Sequence, residues 1–142
     1  MRFEESIDIH AEQQRVWDVL SDLEAWPNHV ESVDIVELLT PPPVALGSRF
    51  RLKQPKLPEG TWVITAWEPP TFFAFRQSSG GVTSVAGHRV EALDEGRSRL
   101  ILSLNMRGVM VPVIALFLRA LTHSYMTAEA QSIKGAAESV ER

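Results

Sequence analysis

The chain contains no cysteine, which excludes disulfide bonds, thiolate catalysis and cysteine-held metal sites. Its four histidines do not stand at the spacing of a metal-binding pair, and there is no His-Glu-x-x-His segment. A glycine-rich phosphate loop and a Gly-x-Ser-x-Gly nucleophile elbow are also missing. We therefore expect no metal, nucleotide or redox cofactor, and any catalysis would be acid–base chemistry.

Positive charge and long apolar runs are scarce as well. The chain has 14 lysines and arginines against 18 acidic residues, a net charge of -4 that argues against a nucleic-acid partner. The longest apolar stretch, Val109 to Leu118, is far shorter than the roughly 20 residues that span a bilayer. The first residues lack the apolar core of a signal peptide. These absences favour a cytoplasmic protein with no membrane span, and a homodimer is left open.

The order of sequence patterns predicts the fold. A length of 142 residues suggests one domain covering residues 1–142. An alternating strand at about Phe3–Ile9 precedes a short helical segment that breaks at Trp26-Pro27, because proline disfavours helix in the preceding residue. Strand patterns then follow from Val33 to Arg107, and helical periodicity runs from about Val111 to Glu138. We predict an α+β fold in which a seven-stranded antiparallel sheet curves around a long C-terminal helix, in the order β-α-α-β6-α.

A space between sheet and helix is where function is expected. Bulky side chains alternate along two of the strands and recur at helical spacing on the last helix. We predict that an enclosed apolar cavity is lined by Phe50, Leu52, Phe73, Phe75, Phe117, Leu121 and Tyr125. Trp62 and Trp67 fall on opposite faces by strict alternation, so only one of them would form a wall.

Two residues are candidates for acid–base chemistry. His88 shares a strand face with Ser84 and Ala86, and it would act near neutral pH if that face looks into the cavity. The alternative is an outward-facing or purely structural histidine. Tyr125, the only tyrosine, lies on an apolar helix face, and its hydroxyl would meet either a ligand or a backbone group.

Segments in this order resemble the START-like superfamily of helix-grip proteins, and within it the bacterial polyketide cyclase/dehydrase-like proteins. The segments that carry the resemblance are Ile9–Ala11, Val16–Asp22, Trp26–Pro27, Gly47–Phe50, Gln54–Pro58, Trp62–Val63, Glu68–Pro69, His88–Glu91, Glu129–Ala130 and Lys134–Glu138. The resemblance spans nearly the whole chain and implies a deep hydrophobic cavity. Members of the superfamily bind lipids, hormones or quinones, or act as aromatase/cyclases, so the fold leaves the function open.

Three functions are compatible with these patterns. The first is binding of a small hydrophobic molecule, such as a lipid, polyketide, quinone or aromatic compound, in the cavity. The second is a polyketide cyclase or dehydratase, which would need polar groups such as His88 and Tyr125 to converge inside. The third is a module that meets a protein or a membrane through the apolar front of the last helix or through Leu57. Titratable groups converging in the cavity would separate the second from the first.

Overall fold

The computed structural model describes residues 1–139 as one antiparallel sheet wrapped around a long helix, which confirms the predicted fold. The strands lie side by side in the order β1-β7-β6-β5-β4-β3-β2, and every neighbouring pair is antiparallel. The elements in chain order are β1 Arg2–Ile9, α1 Gln13–Ser21, a 3₁₀ turn Leu23–Ala25, α2 Trp26–His29, β2 Ile35–Leu38, β3 Arg49–Lys53, β4 Gly60–Glu68, β5 Phe72–Ser79, β6 Val82–Asp94, β7 Arg97–Arg107 and α3 Val111–Ser139.

The second half of α3 is the part that the sheet holds. Met126, Ala130, Ile133 and Ala137 recur at steps of three and four and are all buried. The two alanines let the helix backbone approach the sheet closely, and Ile133 fills the space between them. Trp17 and Leu20 of α1 are buried in the same core, so the helices close one end of the sheet.

The first half of α3 is apolar on nearly all sides and much of it is exposed. Leu116 is 78% and Phe117 is 74% accessible to solvent. By length and composition alone this 29-residue helix could cross a membrane. The second half of α3 is held against the sheet by Met126, Ala130, Ile133 and Ala137, whereas the apolar first half is not buried.

A β-bulge changes the face on which one tryptophan lies. The register of β4 against β5 shifts between Ile64 and Ala66, where β4 contains one extra residue. After this bulge the odd-numbered Trp67, which pairs with Phe73, faces inward like the even-numbered Trp62 before it. Trp62 therefore lines the cavity, while Trp67 packs against Trp17 at 5.3 Å between ring centroids in the adjoining core. The expectation that the two tryptophans occupy opposite faces was wrong, because strict alternation assumes an unbroken register.

Candidate functional site

A cavity of about 360 Å³ lies between the inner face of the sheet and α3. Strands β3 to β7 supply its apolar wall, with Leu52, Trp62, Phe75 and Leu102 pointing inward. Ile114, Leu118 and Met126 cover it from the helix. The volume falls in the range of roughly 300–1,000 Å³ that is usual for small-molecule sites.

Phe75 is the centre of the aromatic wall. Its ring centroid lies 4.9 Å from Phe50 and 5.1 Å from Trp62, both in edge-to-face geometry. Trp26 of α2 and His88 of β6 approach it from the other side, at 6.3 and 4.7 Å. Edge-to-face clusters of this kind hold each ring in place, so this wall is preformed.

The structure places the predicted lining residues in three different environments. Leu52, Phe75 and Tyr125 line the cavity. Phe50 and Phe73 are fully buried beneath that wall and do not reach the free space. Leu121 lies outside the lining, and Phe117 faces solvent, because the cavity-facing side of α3 is the one that carries Ile114 and Leu118.

His88 lies at the inner end of the cavity. It is only 2% exposed and stacks flat on Phe73, with ring centroids 4.4 Å apart. Its Nδ1 donates to the carbonyl oxygen of Phe73 at 3.4 Å, because a carbonyl can only accept. Burial lowers the pKa of His88 to about 3, against a weaker opposing effect of that hydrogen bond. The imidazole is therefore neutral, with the lone pair of Nε2 directed away from Phe73.

Glu129 faces His88 from α3, and the sequence reasoning missed it as a site residue. Its Oε1 lies 3.9 Å from Nε2 of His88, and its side chain is 17% exposed. Burial raises the pKa of Glu129 to about 8, so the side chain is a neutral carboxylic acid at pH 7. One signal was available in the sequence: Glu129 is the first acidic residue after Glu95.

Tyr125 is a cavity residue whose hydroxyl is already engaged. The hydroxyl donates a hydrogen bond to the backbone carbonyl of Pro55. Of the two partners expected from the sequence, a ligand or a backbone group, the structure shows the backbone group. Burial and the negative charge of Asp34 raise the pKa of Tyr125, which keeps the hydroxyl protonated. The polar pair that converges at the inner end is thus His88 with Glu129 rather than His88 with Tyr125.

The hydrogen bond of Tyr125 ties α3 to the loop between β3 and β4. Lys53 holds the same loop through Nζ, which donates to the carbonyls of Gln54 at 2.6 Å and Leu57 at 2.8 Å. Leu57 and Pro58 of this loop line the cavity. The loop therefore forms one border of the cavity and is attached to both the sheet and the helix.

Gly60 closes that border next to the loop. A Cβ at this position would collide with the side-chain amide of Gln77, which crosses directly over the glycine. Gln77 also lines the cavity, so the absence of a side chain at Gly60 keeps this amide flat against the wall.

Ser32 adds a further polar group to the lining. It is buried, and its hydroxyl has no hydrogen-bond partner within residues 1–139. Across that same part of the chain, no three histidine, aspartate or glutamate side chains are grouped as a metal site would need. The cavity therefore combines an apolar wall with a few polar groups, of which His88 and Glu129 face each other.

Comparison with known proteins agrees with this architecture. A sequence model of the family described as polyketide cyclase / dehydrase and lipid transport matches residues 1–138. A search of curated protein sequences finds no match.

Solved structures of the same fold are numerous. The Zhui aromatase/cyclase from Streptomyces sp. R1128 is 20% identical, with 100% of this chain and 96% of that chain covered and a TM-score of 0.82. Norcoclaurine synthase from Thalictrum flavum, a point mutant bound to a transition-state analogue, is 12% identical over 100% and 96% of the two chains, with a TM-score of 0.78. A START superfamily protein from Mycobacterium smegmatis is 15% identical over 98% of each chain, also at 0.78. At these identities the likeness is one of fold.

Proposed function

The chain belongs to the polyketide cyclase/dehydrase and lipid transport family of the START-like superfamily, and from this premise we propose that it binds a small hydrophobic molecule in its internal cavity. The whole chain acts as one ligand-binding domain. The observation that carries the proposal is the preformed apolar cavity of about 360 Å³ between the sheet and α3.

Two features of the cavity support binding of a largely apolar ligand without negative charge. The wall is built from rings and branched aliphatic side chains that are fixed by their own packing, so little ordering is needed when a ligand enters. Within residues 1–139, no lysine or arginine lines it. An anionic ligand group would therefore lose its water without gaining a cationic partner.

An apolar fluorescent probe should bind in this cavity, and its affinity should fall when a bulky side chain is introduced into the cavity. We expect micromolar binding of such a probe to the parent protein and at least a tenfold weaker binding to Ala86→Trp, because Ala86 of strand β6 lines the cavity and an indole there occupies the ligand's space. Fluorescence titration measures both affinities.

The matched control introduces the same indole outside the cavity. Phe117→Trp changes an exposed residue of α3 and should leave the probe affinity within about twofold. Equal binding by the parent and Ala86→Trp would place the probe elsewhere and contradict the proposal, provided that both proteins show the same unfolding transition.

A second function, acid–base catalysis on a bound polyketide-like substrate, is favoured by one specific observation. Two titratable groups, His88 and Glu129, meet at the inner end of the cavity. A carboxylic acid with a pKa of about 8 is protonated at neutral pH yet able to give up its proton, as a general acid must. Glu129 would protonate a departing hydroxyl group, and Nε2 of His88 would orient that group by accepting a hydrogen bond from its O–H.

If the protein is such an enzyme, Glu129→Gln should lower turnover by at least about 100-fold, because the amide cannot supply a proton. Tyr125→Phe should retain turnover within a few-fold, since the tyrosine hydroxyl is bound to Pro55. The measurement is mass spectrometry of products formed from poly-β-keto thioester mimics. Undiminished turnover in Glu129→Gln would exclude Glu129 as the acid. If the parent protein bound the substrate mimics without converting them, the enzymatic function would be excluded and only ligand binding would remain.

A further inference from the structure

The inner end of the cavity presents one hydrogen-bond donor and one acceptor that face each other. Nδ1 of His88 is used by the carbonyl of Phe73, so Nε2 can only accept. The neutral carboxyl group of Glu129 carries the donor. Within residues 1–139 the carboxyl group of Glu129 makes no hydrogen bond shorter than 3.5 Å, and its distance of 3.9 Å from Nε2 is too long for one.

The side chains around this pair are largely apolar. Trp26 lies 5.8 Å from the His88 ring, and Phe75, Leu102 and Met126 complete the apolar lining around the pair. A ligand atom that contacted both groups would give each of them a hydrogen-bond partner in these apolar surroundings.

The chemistry of the gap selects the ligand atom. To accept from the acid and donate to Nε2 at once, the atom must carry both a lone pair and a proton, as a hydroxyl oxygen does. A carbonyl or ether oxygen could only accept, which would leave Nε2 unpartnered. A carboxylate would bring a charge to a site whose titratable cavity-lining side chains, within the described part of the chain, are His88, Glu129 and Tyr125.

We propose that the inner end of the cavity is a hydroxyl-recognition site, at which an alcohol, phenol or enol group of an otherwise apolar ligand is held between Nε2 of His88 and the carboxyl group of Glu129. The inference rests on the proposed ligand-binding function and adds the chemical class of the ligand. It also gives the cavity a polarity along its length, with the hydroxyl end of the ligand at His88 and its apolar part toward Leu57 and Leu118.

The test compares three ligands that share one aromatic body. 2-Naphthalenemethanol carries the hydroxyl, 2-ethylnaphthalene replaces it with a methyl group, and 2-naphthoate replaces it with a charge. Titration calorimetry gives the dissociation constants of 2-ethylnaphthalene and 2-naphthalenemethanol, and their ratio is compared between the parent and Glu129→Leu. Taking the ratio of ratios removes the difference in hydration between the two ligands, so it reports the hydrogen bonds alone.

We expect the preference for the alcohol to fall about tenfold in Glu129→Leu and by a similar factor in His88→Phe, as the loss of hydrogen bonds to a buried hydroxyl predicts. Both variants should still bind 2-ethylnaphthalene, which also shows that they are folded. 2-Naphthoate should bind the parent at least tenfold more weakly than the alcohol. An equal preference in the parent and Glu129→Leu would overturn the hydroxyl site while leaving the apolar cavity intact. If the parent bound none of the three ligands, the proposed function itself would fail.

Discussion

The Glu129→Gln protein should gain about 4–5 kcal/mol in its free energy of unfolding, relative to the parent, as the pH rises from 4 to 9. Burial raises the pKa of Glu129 from the ordinary 4.5 to about 8. Between these two values the folded parent keeps a proton that the unfolded chain releases, so raising the pH favours unfolding. Above about pH 8 the folded protein carries a buried carboxylate and the loss is complete. Glutamine has nearly the same shape and does not titrate, so its stability shows no such decline.

His88 acts in the opposite direction over a lower pH range. Burial lowers its pKa from 6.5 to about 3, so the unfolded chain takes up a proton between these values and the folded protein does not. Its contribution to stability is fully present above pH 6.5 and is lost as the pH falls toward 3. From 4.5 to 6.5 the two groups oppose each other, and between 6.5 and 8 Glu129 acts alone of the two.

The window from pH 6.5 to 8.5 therefore gives the cleanest measurement. Urea unfolding at these two values should show a falling midpoint for the parent and a constant one for Glu129→Gln. The exposed carboxylates whose pKa values are lowered by arginine or lysine partners, Asp8, Asp94 and Glu138, are ionised throughout this window and add no slope. Parallel curves for the two proteins would mean that Glu129 is solvated and ionised, and that the acid at the inner end of the cavity does not exist.

The sequence predicted the fold because each element carries its own periodicity and its own breakers. Alternation on β3 and β5 identified the inward faces correctly, since Phe50, Leu52, Phe73 and Phe75 are all buried. Alternation gives a face but no position along the strand. It therefore could not separate Phe75, which reaches the cavity, from Phe73, which lies beneath helix α1 against Trp17.

The site was harder to predict because the sequence of the first half of α3 does not show which side of the helix faces the sheet. Apolar residues surround the helix there, so Phe117 and Leu121 were as plausible as Ile114 and Leu118, and the two pairs differ by a rotation of about 60° around the helix axis. The rotation of α3 about its own axis is determined instead by its second half, where Met126, Ala130, Ile133 and Ala137 pack on the sheet. Once that face is known, Glu129 follows as the residue that meets β6.

Phe73→Ala should destabilise the protein by about 3–5 kcal/mol, the usual cost of removing a fully buried ring. Phe73 is 0% exposed and supports three neighbours. It stacks on His88 at 4.4 Å, meets Trp17 edge-on at 5.6 Å and lies 5.4 Å from Trp67. A loss of this size is a large part of the roughly 5–15 kcal/mol that stabilises a typical domain, so Phe73→Leu, expected to lose about 1–2 kcal/mol, is the variant to use if the alanine protein does not fold.

The neighbouring phenylalanine provides the control. Phe72 points to the opposite face of β5, where the guanidinium group of Arg89 lies 4.6 Å from its ring centroid. Phe72→Ala removes that contact and some half-buried surface, and should cost about 1 kcal/mol. Urea unfolding of the two variants side by side tests the facing of β5 directly, because a strand with the reverse facing would exchange the two values.

Replacing Phe73 should also change the pKa of His88. Phe73 covers one face of the imidazole, and its backbone carbonyl, which the substitution keeps, continues to accept from Nδ1. Water entering the space left by the ring would relieve the desolvation that holds the pKa of His88 at about 3. Histidine resonances followed by NMR against pH should therefore show the His88 pKa moving upward toward 6.5 in Phe73→Leu or Phe73→Ala, and staying low in Phe72→Ala. A His88 pKa near 6.5 in the parent would show instead that water already reaches the inner end of the cavity, and that the neutral donor–acceptor pair with Glu129 is not formed.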